Sequence, residues 1–161
     1  MDADRKPPRR SLPVLNDDPR EWELKVIVAF FKCNSLLERR LADDLAAHGL
    51  TLAQFDVLMT LRHTDGITQQ ELAEWLLVTK ANVVGLIDRV SAANWVERRQ
   101  DPEDRRVNRL YLTPAGRKIV AKANPGQFAL VKKLFGRLTE AELRQMHALL
   151  GRLQQACSED G

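Results

Sequence analysis

Covalent, redox and metal chemistry have little to work with in this 161-residue chain, which holds two cysteines, three histidines and one tyrosine. Cys33 and Cys157 stand far apart, each on an apolar helical stripe, which does not describe a disulfide framework. A reducing compartment is the simpler expectation. The histidines lack cysteine or carboxylate neighbours at ligand spacing, so no metal site is expected. No glycine-rich phosphate loop, paired carboxylates or nucleophile-base pairing can be found, so the sequence offers no catalytic residues and no cofactor. Long apolar runs are missing too. Nothing approaches the roughly 18 residues of a membrane span, and the basic N-terminus lacks the apolar stretch of a secretory leader. The expectation is a cytoplasmic protein that is no enzyme and has no membrane partner.

What is present is a globular composition, 44% hydrophobic and 29% charged, with a net charge of +3 and a pI near 9.1. The length suits one compact domain or one protomer of an intertwined dimer. The basicity is mild, so where the charge sits matters more than its sum.

Residues 1–17 place Pro7, Pro8 and Pro13 among Arg5, Lys6, Arg9 and Arg10, which reads as a flexible basic arm. Such an arm could meet a phosphate backbone, although solvation alone accounts for its charge. Asp17-Asp18-Pro19 then has the chemistry of a helix start, and Gly49 that of a helix end. About 30 residues of helix would span about 45 Å, more than a small domain is wide. One apolar stripe runs Trp22, Val26, Phe30, Cys33, Leu37, Leu41 and Leu45, and a second, Leu24, Ile27, Val28 and Phe31, exists only in the first half. A helix apolar on two sides at one end is buried there on two sides, and a second copy of the chain is the nearest partner.

Thr51 with Gln54 and Thr68 with Glu71 have capping-box spacing and open a second and a third helix. The third helix is expected to turn Leu72, Ala73, Trp75 and Leu76 inward. Leu77-Val78 makes a turn, and Thr79 caps a fourth helix reaching about Ala93, with Val83, Leu86, Ile87 and Val90 buried and Lys80, Asn82 and Val84 outward. A hairpin follows: Trp95-Val96 begin one strand, 101–104 supply turn chemistry, and Leu110 and Leu112 alternate with Arg109 and Tyr111 on the return. Thr113-Pro114 starts a fifth helix in which Pro125-Gly126 predicts a kink or break. Thr139 and Glu142 cap a sixth, whose stripe Leu143, Met146, Leu150, Leu153 and Cys157 suits the doubly apolar half of the first helix.

The fold class is therefore mainly α with a small β-hairpin wing. Residues 50–113 form a winged helix-turn-helix, and residues 18–49 with 114–157 form an all-helical dimerisation region built from the N- and C-terminal helices. Two short helices joined by a tight turn can present the second to a major groove about 12 Å wide. Thr79 can bond backbone or phosphate, Lys80 can neutralise a phosphate, Asn82 can pair with an adenine edge, and Val84 offers an apolar contact. The hairpin carries Arg98, Arg99, Arg105, Arg106 and Arg109 against Asp101, Glu103 and Asp104. An arginine at such a tip suits a narrow minor groove. Asp104 is expected to buttress an adjacent arginine.

In this order the motifs resemble the MarR (multiple antibiotic resistance regulator) family of bacterial transcription factors. The family's Asp-x-Arg-x5-Leu-Thr wing pattern stands here as Asp104, Arg106, Leu112 and Thr113, and GLTLAQFDVLMTL, TQQELAEWL and LTPAGR are similar to family segments. The resemblance spans roughly residues 20 to 155. It implies a homodimer joined by the first, fifth and sixth helices, whose winged domains read a pseudo-palindromic operator in double-stranded DNA. It places Thr79, Lys80, Asn82 and Val84 on the recognition helix and Arg105 and Arg106 on the wing, and Arg98 of the same hairpin is a further expected DNA contact. It further implies a repressor released by a small anionic or phenolic effector held in a crevice near His48, Phe55, Asp56, Met59 and His63.

Three departures matter. Val84 and Gly85 stand where relatives often carry a polar residue and an arginine, which suggests the alternative of a winged-helix module that binds a ligand or protein and reads little DNA sequence. Cys33 invites comparison with redox-responsive relatives, but it lies about two turns later than their sensing cysteine, and a buried, inert thiol is expected. Asp56 matches an acidic residue of urate-responsive relatives, yet a partner arginine of that set is Leu86 here, which discounts urate.

Overall fold

The computed structural model describes residues 22–159, and these divide between two compact units, Met1–Arg40 and Leu41–Gly161. The arm and the Asp17-Asp18-Pro19 helix start lie outside the described residues. In the first unit the described residues are all helix, the leading part of α1 (Trp22–Ala46). Trp22, Val26, Phe30, Phe31 and Leu36 are all exposed there. Cys33, expected to be a buried thiol, is exposed in the single chain, and so is Cys157. Of the stripe that carries Cys33, Trp22, Val26 and Phe30 are exposed, Leu37 and Leu41 half-buried, and Leu45 buried.

The second unit includes the last turns of α1 and the end of that helix. Gly49 takes a left-handed φ of +69°. The Leu50 N–H reaches back to the Leu45 carbonyl at 3.2 Å and the Gly49 N–H to Ala46 at 3.0 Å, closing the helix with a Schellman motif. Both Leu45 and Leu50 are buried in the core. Two capping boxes then start α2 (Leu52–His63) and α3 (Gln69–Trp75), as their spacing predicts. At the first, the Thr51 N–H donates to Gln54 Oε1 at 2.9 Å while the Gln54 N–H donates to Thr51 Oγ1 at 3.2 Å.

α4 (Lys80–Ala92) buries Val83, Ile87 and Val90, with Leu86 half-buried. Trp75 departs from expectation. Leu72 and Ala73 are buried, yet Trp75 is 66% exposed. At 100° per residue Trp75 lies about a quarter-turn off the face defined by Leu72, Ala73 and Leu76, and seven residues are too few to bury a wider arc.

The wing is a three-stranded antiparallel sheet in the order β1-β3-β2, with β1 (Ile67–Thr68), β2 (Val96–Gln100) and β3 (Asn108–Leu112). The hairpin expected from sequence is β2 with β3. β1 is the addition, pairing Ile67 with Leu110 and Thr68 with Arg109. Two residues are too short to show an alternation. Asp65 knits this corner together: Oδ1 accepts the Leu112 N–H at 3.0 Å and Oδ2 the Arg117 guanidinium at 2.5 Å.

α5 (Pro114–Phe135) starts at the Thr113 cap and continues through Pro125, so of the kink or break expected there the break does not occur. The proline leaves the Ala121 carbonyl without its helical donor, but Ala121 is exposed and water can replace the bond. Just beyond, buried Gln127 donates to the Leu41 carbonyl at 3.1 Å and to Asp44 Oδ2 at 2.7 Å, fixing the chain past the proline. α6 (Glu140–Glu159) buries no residue and leaves Met146, Leu149, Leu150 and Leu153 exposed. The core of this unit lies among α2, α3, α4, α5 and the sheet, with Leu58, Leu61, Leu72, Ile87 and Leu110 fully buried.

Candidate nucleic-acid interface

α4 begins at Thr79, whose Oγ1 accepts the Asn82 N–H at 3.3 Å. Lys80 and Asn82 are exposed beside that end, and Val84 is 42% exposed. The remaining free N–H groups of a helix start favour a phosphate, and an ammonium next to them adds to the attraction. Gly85 leaves room that Arg89 fills: Arg89 Nε donates to the Gly85 carbonyl at 2.8 Å, one turn back. The outer face of α4 therefore carries a guanidinium in the place Gly85 leaves bare.

The five wing arginines separate into two groups. Arg98 is held by Asp88 of α4 at 2.5 Å, so the wing contact expected of it is engaged within the chain. Arg99 pairs with Glu97 and lies 4.4 Å over the Tyr111 ring. Arg109 pairs with Asp101 and donates to the Gly66 carbonyl at 2.9 Å. Arg105 and Arg106, at the turn, are exposed and carry no ion pair among the described residues.

The turn itself is built around Asp101. Its Oδ1 accepts the Glu103 N–H at 2.8 Å and the Asp104 N–H at 3.1 Å, and its Oδ2 takes Arg109. The Glu103 N–H first, and the Arg109 guanidinium second, hold the Asp101 carboxyl below the usual carboxylate range. The Asp101 carboxylate in turn raises Arg109. Asp104 does not buttress a guanidinium as expected. Its Oδ1 accepts the Arg106 backbone N–H at 2.9 Å, and the arginine-holding carboxylate is Asp101. The sequence held a signal for this, since aspartate at the head of a turn bonds the backbone two residues on.

The residues expected around an effector do not share one environment. Phe55 is buried in the core and Met59 packs against it, while Asp56 and His63 are exposed. His48 is half-buried, and its Nδ1 is buried with no hydrogen-bond partner among the described residues. Among the described residues no group of three or more His, Cys, Asp or Glu could hold a metal ion, and no helix is long and apolar enough to cross a membrane.

The model of the MarR family matches residues 50–107, the span from α2 through the wing turn. An uncharacterized HTH-type transcriptional regulator from Bacillus cereus is 31% identical over 107 residues, covering 66% of this chain and 71% of that protein. The chain belongs to the MarR family. The curated relatives it matches include HTH-type transcriptional regulators and repressors. The HTH-type transcriptional repressor YetL of Bacillus subtilis is 26% identical over 84% of this chain and 82% of its own length. A mutant MarR from E. coli, complexed with operator DNA, superposes with a TM-score of 0.75 at 30% identity, covering 80% of this chain and 93% of that one. This MarR-family chain is thus a winged helix-turn-helix transcriptional regulator.

Proposed function

We propose that this chain works as a cytoplasmic homodimeric repressor, whose two winged domains read successive major grooves of a pseudo-palindromic operator. The observation that carries the reading is the α4 start, where a Thr79-capped helix end stands in solvent with Lys80 and Asn82 beside it. Val84 supplies an apolar contact, and Arg105 and Arg106 enter the minor groove from a wing that Asp101, Asp104 and Arg109 hold in shape. Arg98 acts through its bond to Asp88, orienting the wing against α4.

Residues 50–113 serve as the DNA-binding domain, and residues 18–49 with 114–157 as the dimerisation region. Supporting this, α1 and α6 each expose large apolar side chains that a second copy would remove from water. Release by a small anionic or phenolic effector would draw on His48, whose unpartnered Nδ1 can exchange a hydrogen bond with such a molecule.

The test is a gel shift on the DNA flanking the protein's own gene. A discrete complex surviving excess nonspecific DNA is expected. Arg105→Ala with Arg106→Ala should weaken it and lower the slope of log K against log salt by about 2, near 0.9 per phosphate lost. An unchanged affinity and slope would remove the wing from the interface. A complex that vanishes under competitor would favour a winged helix that reads no sequence.

A further inference from the structure

Three helices in this chain stop in the same way. At Gly49, Leu77 and Asn94 the backbone enters the left-handed region, with φ of +69°, +51° and +56°. In each case the next residue's N–H reaches back five residues: Leu50 to Leu45 at 3.2 Å, Val78 to Ala73 at 3.0 Å, and Trp95 to Val90 at 2.9 Å. The left-handed residue's own N–H reaches back three: Gly49 to Ala46 at 3.0 Å, Leu77 to Glu74 at 3.2 Å, and Asn94 to Ser91 at 2.8 Å. Glycine and asparagine are the residues this position favours. Leucine is not, because its Cβ crowds the following carbonyl oxygen.

Packing does not offset that strain. The Leu77 side chain is 86% exposed, and Trp75, two residues earlier, is 66% exposed. Leu76 and Val78 make the core contacts at this helix end. A glycine at 77 would suit the backbone better and take nothing from the core. Folding therefore does not ask for an apolar side chain here, and strain kept at an exposed site points to a role in binding.

Position supplies the occupant. Leu77 Cα lies no more than about 7.6 Å from Thr79 Cα, since two peptide units separate them. In a helix-turn-helix the first helix crosses the DNA backbone while the start of the second enters the groove, so the turn between them sits at the groove wall. The patch is thus continuous with the Thr79, Lys80 and Asn82 surface. We propose that Trp75 and Leu77 form an apolar foot that seats on the deoxyribose faces of the operator duplex, at the edge of the groove that α4 enters. The proposal rests on the reading of α4 as the recognition helix.

An apolar contact with sugar releases no counterions, whereas a lysine on a phosphate does. That difference gives the test, run with the full chain on the flanking-gene duplex that wild type shifts. Leu77→Gly and Trp75→Ala should each weaken binding about tenfold, with the salt slope of wild type. Leu77→Gly should melt no lower than wild type, which separates lost contact from lost folding. Lys80→Ala is the control and should lower the slope by about 1. If Lys80→Ala weakens binding while both apolar variants bind like wild type, the foot is refuted and the recognition helix stands. If Lys80→Ala also binds like wild type with an unchanged slope, the interface reading fails and takes the foot with it. Unchanged DNA affinity with a smaller species on gel filtration would assign the patch to a second copy and overturn the proposal.

Discussion

Arg109 holds Asp101 across the mouth of the wing turn, and the same guanidinium donates to the Gly66 carbonyl at 2.9 Å. One arginine thereby ties the wing turn to the segment that leads into β1 and α3. Arg105 and Arg106 project from a turn already fixed from below. Asp101→Asn keeps the size of the side chain but removes its charge, weakening the hold on both the arginine and the Glu103 and Asp104 amides. Operator affinity should fall about tenfold, and hydrogen exchange at those two amides should speed up. Unchanged exchange would mean the turn keeps its shape without the carboxylate.

Acid should unfasten three carboxylates together. The Thr68 N–H lowers Glu71, the Glu103 N–H lowers Asp101, and the Thr139 N–H lowers Glu142. Each folded pKa lies below its unfolded value. The stabilisation is therefore complete above the unfolded pKa, near ~4, and is lost as pH falls through the folded values. Melting temperature should be flat from neutral pH down to about 5 and decline below about 4. Glu71→Gln, Asp101→Asn and Glu142→Gln combined should flatten that decline. Equal declines in wild type and the triple variant would place the acid sensitivity elsewhere.

Most of the architecture was legible because its signals are local. Threonine followed by Gln or Glu at the third position marked the starts of α2, α3 and α6, and Gly49 marked the end of α1. The Asp-x-Arg-x5-Leu-Thr spacing located the wing. What escaped depended on contacts distant in sequence. β1 is two residues long and is defined only by its pairing with Leu110 and Arg109. Pro125 reads as a kink or break, and only the bonds of Gln127 to Leu41 and Asp44 show what holds the chain beyond it. The division of the wing arginines was hidden for the same reason, since Arg98 meets Asp88 across two elements.

Gly116 is a position where one methyl group should be decisive. An added Cβ would stand 2.0 Å from the Trp95 carbonyl oxygen. That oxygen also accepts the Thr113 N–H at 3.0 Å, so the backbone there is not free to retreat. Gly116→Ala should destabilise the fold by about 3 kcal/mol or more, despite the better helix propensity of alanine. Urea denaturation measures it, and a loss under about 1 kcal/mol would show that α5 and the wing can separate at little cost.

Pro125 should show the opposite sign. It lies inside α5, where it removes a helical hydrogen bond, and it is itself exposed. Pro125→Ala restores an N–H aimed at the Ala121 carbonyl without touching the core. The variant should be more stable by about 1 to 3 kcal/mol. A loss of stability in urea would mean that the proline sets a helix direction which the Gln127 bonds require.

The apolar faces of α1 and α6 set the last expectation. Phe30 is 43% exposed and Leu150 38% exposed, on helices whose neighbouring apolar residues are exposed as well. A second copy that covers these faces would have to desolvate any charge placed there. Phe30→Glu and Leu150→Glu should each shift sedimentation equilibrium from dimer toward monomer while leaving the far-ultraviolet helix signal intact. Neither side chain is buried in the core of its own unit, so folding should survive. On the proposed homodimer a monomer would engage only one half-site, so DNA affinity should fall by roughly a hundredfold or more as the avidity of the second domain is lost. A dimer that withstands both substitutions would remove α1 and α6 from the interface.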